Sequence, residues 1–473
     1  MDPATFDRVR FRREWPRNPE LNPVESLAWR ADSLRGLRFN LVGVVLLETV
    51  PPWGRLVARH EWLVRYVPRL RQCVVESPVP WGRPLLEADP RFDLGRHLHR
   101  VRLPWPGTRR QLLDHAQALG NGPFDPFRPP WESVLIEGLE GGGAAYVCKM
   151  HHTLADGIGA GQLLALLHDG TPGEPELPAP PETRDTRENG LTRSVRASSA
   201  LVSSLWDGRG GSSRRPDPGV RDLARTLLSM ARMTVWPEVP SLPLFRSRSH
   251  TSRFELLDLP RARLRAAGAE AGGTANDALL AALAGGVERY HRRCHSPVRR
   301  IPGMFPLSLR RPQDPPGGNL VGAAHVMLPG WGHSPSERIR IVHRQVATIL
   351  RGATFDALDL LLHPVSALPA AAVRAVAAML FTGVDVLASS FPGASLPLYL
   401  AGAPVTAIHP FPPQVRTAVC TAMLSYRDRA QLGLTLDTGA ITDPGLFMTC
   451  LGESIAELLD LAPPGGSASA RTT

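Results

Sequence analysis

Two adjacent histidines, His151 and His152, are followed at fixed distance by Asp156 and Gly157. Histidine is the only side chain whose ordinary proton affinity lies near neutrality, so the pair is the chain's first candidate for moving a proton. The pattern of two histidines, three residues, aspartate and glycine arises by chance in such a chain with odds of roughly two in a thousand, so it is read as chemistry. Adjacent residues at a strand end point to opposite sides, which lets only one of the two imidazoles face a given substrate. Asp156, four residues past His152, is placed to orient an imidazole as the carboxylate of a triad does.

The elements that must hold these residues can be read from the flanking text. Residues 133–138 and 144–150 form a strand pair joined by Gly141-Gly142-Gly143, and an apolar helical run over 161–168 follows the histidines. A base placed where a strand gives way to a helix sits on a rigid support. Gly157 would permit close backbone approach at the helix entry.

Further fragments stand in a telling order: Phe92-Asp93-Leu94 with His97, Leu103-Pro104, Pro130-Trp131, Asn276-Asp277 and Pro306-Leu307-Ser308-Leu309-Arg310. After them come Pro397-Leu398-Tyr399-Leu400-Ala401-Gly402-Ala403-Pro404-Val405 and Leu424-Ser425-Tyr426. Together with His151-His152 and Asp156-Gly157, this text resembles the bacterial wax ester synthase/diacylglycerol acyltransferase family of the HHxxxDG acyl-CoA-dependent acyltransferases. The resemblance runs from about Pro23 to about Leu461. It implies an α/β fold of two chloramphenicol-acetyltransferase-like lobes with mixed sheets and a channel between them.

It also implies transfer of a long-chain acyl group from acyl-CoA to diacylglycerol or a long-chain alcohol. His152 is nominated as the proton acceptor. His151 then has a supporting role, ordering the loop or fixing its neighbour's tautomer. The family further suggests that Asp156 turns away into a buried ion pair, for which Arg310 is the best candidate. Asn276 either donates an amide hydrogen bond to the oxyanion or substrate, or leaves the Thr274–Asn276 stretch to cap a helix. Ser390 stands where the family commonly has an asparagine before its Pro-Gly, which bears on acceptor specificity. Trp131, in a shortened Pro-Leu-Trp element, is expected to pack. No cofactor beyond the co-substrate acyl-CoA and no metal is expected.

The chain has 473 residues, 43% hydrophobic and 21% charged, which reads as globular and long enough for two domains. All but one of its 54 basic residues are arginine, Lys149 being the exception, and the formal net charge is +10. That balance suits an anionic membrane surface or the phosphates of acyl-CoA. No zinc-finger, RRM or helix-turn-helix pattern accompanies it, so nucleic acid is not an expected partner. Five scattered cysteines without a CxxC pair argue for free thiols in a reducing compartment. Residues 1–17 lack the apolar core of a secretory signal, and the longest apolar stretch, 367–388, is broken by Arg374 and Asp385. The expectation is a cytoplasmic protein peripherally associated with the inner membrane or lipid droplets.

Composition divides the chain into an N-terminal lobe at 1–170, a Pro/Ser/Arg-rich connector with helical segments at 171–250, a C-terminal lobe at 251–462 and a disordered tail at 463–473. Periodicity predicts a helix over 53–66, a strand over 37–50, a helix over 220–235 and a long apolar helix over 278–292. It places strands at 300–309, 323–328, 385–389 and 404–409 and a hairpin over 418–436, with a last helix over 443–461. No Gly-x-Ser-x-Gly elbow supports a serine hydrolase, and no HExxH supports a zinc site. Two other readings stay open: transfer to a polyketide or peptide acceptor, and a catalytically idle acyl-CoA or lipid-binding protein.

Overall fold

A computed structural model describes residues 19–32, 34, 36–77, 82–173, 177, 240–249, 251–308, 319, 321–352, 365–366 and 368–463. The helix expected over 220–235, most of the connector, all of the tail but its first residue, and Arg310 lie outside the described residues. In chain order the N-terminal part runs α1 (Pro23–Ala31), β1 (Leu37–Arg38), β2 (Asn40–Leu47), α2 (Trp53–Tyr66), β3 (Gln72–Val75), β4 (Leu85–Ala88), β5 (Leu98–Arg102), α3 (Arg109–Asn121), β6 (Trp131–Glu137), β7 (Ala144–His151), α4 (Gly157–Leu167) and β8 (His168–Asp169). The rest comprises β9 (Ser252–Pro260), α5 (Arg261–Glu270), α6 (Ala275–Arg293), β10 (Arg300–Ser308), β11 (Val321–Pro329), α7 (Pro335–Gly352), α8 (Ala370–Leu380), β12 (Val386–Phe391), β13 (Tyr399–Leu400), β14 (Ala403–Phe411), β15 (Gln414–Val415), β16 (Val419–Tyr426), β17 (Arg429–Asp437) and α9 (Pro444–Leu459).

Two mixed sheets organise these elements. The C-terminal sheet has the order β11-β10-β12-β16-β17-β9, with the β10–β12 and β12–β16 pairs parallel and its other pairs antiparallel. The N-terminal sheet has the order β5-β6-β7-β2-β14-β13-β8. Two of its strands, β13 and β14, come from the stretch assigned by composition to the C-terminal lobe. β14 pairs antiparallel with β2 from Val405 opposite Leu47 to Phe411 opposite Val42. The division at 171–250 is therefore one of sequence, and the sheets cross it.

β14 also touches the second sheet: Ile408 N donates to Gln431 Oε1 at 2.6 Å, and Tyr426 Oη donates to the Val405 carbonyl at 3.0 Å. These hydrogen bonds satisfy buried polar groups where the sheets meet. The core behind the C-terminal sheet is built on α6, whose Ala278 to Val287 are all buried. Gly285 and Gly286 let α9 lie close, since a Cβ on Gly286 would meet Leu451 Cα at 3.0 Å. That closeness explains why residues 278–287 of α6 read as small and apolar all round.

Candidate active site

β7 lies between β2 and β6 and is buried at every one of its eight positions. Its alternation aims Cys148, Met150 and then His152 into one cavity, while Lys149 and His151 face the other way. The strand end is pinned on both sides: His151 N donates to the Pro130 carbonyl at 2.9 Å and His152 N to the Phe39 carbonyl at 2.8 Å. A tight turn follows, in which Leu154 N donates to the His151 carbonyl at 2.9 Å.

The cavity has a volume of about 250 Å3 and walls from both lobes. β2, β7, α1 and α4 line one side, and β10, β11, β12 and β16 the other. Its lining is overwhelmingly apolar, and the polar side chains on it are Cys148, His152, Asn319, His325 and Ser389. His325, on β11, and Asn319 were not singled out for chemistry by sequence reasoning. Asn319 carried one signal, a Gly317-Gly318-Asn319 run just before a strand.

His152 is held by Asn319, whose Nδ2 lies 2.7 Å from the ring Nδ1 and donates to the His152 carbonyl at 3.1 Å. Burial pushes the His152 imidazole down to about 4, the Asp156 carboxylate opposing this and His151 adding to it. The ring is therefore neutral at pH 7 and able to accept a proton.

His151 is buried and serves the loop. The Thr153 N–H lies 3.2 Å from its Nδ1 and donates to it, so the ring's proton sits on Nε2, which faces Asp32 Oδ1 at 3.7 Å. Trp29 packs edge-on against the same ring at 5.2 Å. Asp156 is fully buried and caps α4, its Oδ1 accepting from Gly159 N at 2.7 Å. This cap starts the helix at Gly157, four residues before the apolar run that suggested it. A Cβ on Gly157 would meet the Phe391 ring at 3.3 Å, so glycine there makes room for a residue of the opposite lobe.

A buried ring of contacts backs the site. Asn22 and Glu25 form the capping box of α1. Glu25 Oε1 pairs with Arg69 Nη2 at 2.8 Å, and Arg69 Nη2 donates to the Thr153 carbonyl at 2.8 Å. Glu25 Oε1 also accepts from Asn319 N at 3.3 Å, and Asn22 Nδ2 donates to the Asn319 carbonyl at 3.0 Å.

Other expected residues fall elsewhere. Asn276 is exposed at the second position of α6 and lines a neighbouring cavity of about 200 Å3, which shares Pro306 and Ser389 with the cavity of His152 but is not lined by His152. Thr274 is the cap of α6, accepting from Asp277 N, so the placement favours the capping alternative for this stretch over an oxyanion contact. Ser390 lines only that second cavity, whereas Ser389 lines both it and the cavity of His152. Trp131 is buried, stacked on His97 at 4.7 Å, with Nε1 donating to the Leu70 carbonyl at 2.7 Å, as packing requires.

Comparison with known proteins gives the family of the chain and its fold. The wax ester synthase/diacylglycerol acyltransferase catalytic domain matches residues 21–279, and the C-terminal domain of the same family matches residues 317–459. A Mycobacterium tuberculosis protein provisionally named a diacylglycerol O-acyltransferase is 31% identical over 467 residues, covering 96% of this chain and 94% of its own length. Among solved structures, the wax ester synthase/diacylglycerol acyltransferase from Marinobacter aquaeolei VT8 superposes with a TM-score of 0.63 at 22% identity, over 94% of this chain and all of that one. The first condensation domain of the calcium-dependent antibiotic synthetase follows at 0.59 and 14% identity, over 94% and 96%. These two likenesses concern the fold, that of two chloramphenicol-acetyltransferase-like lobes.

Proposed function

Because the chain belongs to the wax ester synthase/diacylglycerol acyltransferase family, we propose that it moves a long-chain acyl group from acyl-CoA to diacylglycerol or to a long-chain alcohol, with His152 as the proton acceptor. The observation that carries the proposal is a neutral imidazole opening into an apolar cavity between two lobes. His152 removes the acceptor's hydroxyl proton as the oxygen attacks the thioester carbonyl and the new C–O bond forms. The C–S bond then breaks, and the imidazolium returns the proton to the departing thiolate, leaving ester and free CoA. The balance needs no further reactant, since a thioester is already activated toward an alcohol. Apolar walls exclude water, the competing nucleophile, and suit an alkyl acceptor better than a peptide. Ser389 is the hydroxyl donor on the lining nearest in kind to what an oxyanion requires, the Asn319 amide being engaged with His152.

The acceptors live in lipid, and among the described residues no helix is long and apolar enough to cross a membrane. Peripheral contact is part of the proposal. α8 supports it: Ala371, Ala375 and Met379 form an exposed stripe, Met379 being 58% exposed, and the helix ends at Leu380 and Phe381, which line the cavity. Purified protein with labelled palmitoyl-CoA and a panel of acceptors tests the whole reading. Ester formation that survives His152→Ala unchanged overturns the assignment of the base; binding without turnover in the native protein overturns the enzymatic reading.

A further inference from the structure

Resting on the reading of the protein as an acyl-CoA-dependent acyltransferase, we propose that the cavity of His152 holds the alkyl parts of donor and acceptor in two separate arms. Gly161 sets the length of acyl chain accepted in the arm under α4. Among the described residues, most of the apolar lining belongs to two separate packed groups. Cys148, Met150, Ile408 and Leu424 belong to one, with Ala160 and Leu164 of α4 packed against it. Leu27, Ala28, Phe39 and Val415 belong to the other, with Leu380 and Phe381 at the end of α8 packed against it.

β12 shows the division along its length. Leu387, Ser389 and Phe391 all line the cavity, as alternate residues of a strand must. Leu387 is packed in the α8 group, Phe391 against the α4 group, and the Ser389 hydroxyl lies between them. Four residues of strand set the two ends about 13 Å apart. β16 repeats the pattern beside it: Cys420, opposite Leu387, belongs to the α8 group, and Leu424, opposite Phe391, to the α4 group.

α4 lines its arm with Gly157, Ala160, Gly161 and Leu164, residues that share one face of a helix. A Cβ on Gly157 would meet Phe391, whereas one on Gly161 would meet no atom within 4 Å. Gly161 therefore borders open space in the cavity, about 6 Å along the helix from Gly157. Apolar space of this kind takes methylenes, since a polar group there would lose its hydrogen bonds. The donor fits it, because its acyl part is a single chain whose thioester carbonyl stays beside His152. A diacylglycerol brings two chains from lipid. The other arm ends at α8, whose exposed Met379 marks the lipid-facing side under the same reading.

Gly161→Ala and Gly161→Phe are the test. Each is compared with the native protein for kcat/KM across octanoyl-, lauroyl-, palmitoyl- and arachidoyl-CoA with one acceptor, and across octanol, hexadecanol, dioctanoylglycerol and dipalmitoylglycerol with octanoyl-CoA. Gly161→Phe is expected to lower the preference for palmitoyl-CoA over octanoyl-CoA by at least about tenfold, while the order of preference among acceptors stays as in the native protein. Gly161→Ala should move the profile the same way by less, losing arachidoyl-CoA first. Alanine favours a helix over glycine, so this variant decides if the phenylalanine variant does not fold. An unchanged donor profile in both variants would overturn the proposal. So would a shift confined to the acceptors or shared equally by both series. Equilibrium dialysis with labelled palmitoyl-CoA and octanoyl-CoA reads the same preference without turnover, so Gly161 is still tested if the native protein binds acyl-CoA and transfers nothing.

Discussion

Replacing Arg69 by methionine tests whether the loop carrying His152 is held by charge buried behind it. The side chains of Arg69 and Glu25 are 4% and 3% exposed, and their N–O separation is 2.8 Å. Losing one partner of such a pair costs about 3–5 kcal/mol, because the survivor keeps its charge without its counterion. The low end applies here, since Glu25 keeps the N–H groups of Asn22 at 2.9 Å and Asn319 at 3.3 Å. The Thr153 carbonyl also loses its donor, adding about 1–3 kcal/mol. At about 2–4 °C per kcal/mol for a unit the size of one lobe, Arg69→Met should lower Tm by roughly 10 °C. Activity should fall with it, because Thr153 adjoins the base.

The double variant Glu25→Gln/Arg69→Met separates charge from shape. Glutamine keeps the capping box of α1 and removes the orphaned charge, so the double variant should recover at least half of the Tm lost by Arg69→Met alone. Calorimetry and palmitoyl-CoA turnover on the three proteins suffice. A shift under about 2 °C in Arg69→Met, or a double variant less stable than the single one, would refute the account.

His60, His152 and His168 are each pushed down to about 4, chiefly by burial. Between there and the ordinary value of 6.5 the unfolded chain binds more protons than the folded one, so stability falls as pH drops through that window and is retained above it. Urea midpoints at pH 7.5 and pH 5 should show the lower value at pH 5, and an equal or higher one would count against it. The same shift puts the acid limb of kcat/KM near 4 rather than 6.5. Gly157→Val should cut activity by crowding Phe391, and Phe391→Ala in the same chain should restore part of it; no rescue would mean that the glycine serves the helix start alone. Met379→Glu should weaken cosedimentation with phosphatidylglycerol vesicles while leaving turnover of a detergent-dispersed acceptor unchanged, and undiminished cosedimentation would remove α8 from the lipid-facing surface.

Much of the frame was legible beforehand. The helix over 53–66 lies where its apolar spacing placed it, and the strand pair around Gly141-Gly142-Gly143 differs by one or two residues at its ends. Period-two alternation along β7 already separated the two imidazoles, sending one toward the cavity and one into the loop. Missed features share a cause. Ser390 and Asn276 stand at motif positions, yet both line the neighbouring cavity and not the one that His152 lines. Asn319 has an ordinary residue type in a loop, and only its partners in α1 and at His152 single it out.

By itself the sequence determined the chemistry on offer and the local elements that carry it, because residue type and hydrophobic period act over a few neighbouring positions. Tertiary structure alone decided that β13 and β14 join the sheet of the other half, that Glu25 and Arg69 stand behind the loop, and that an amide 167 residues away grips the ring of His152. Strand pairing and hydrogen bonds between distant segments depend on how two lobes dock, and no local period records that.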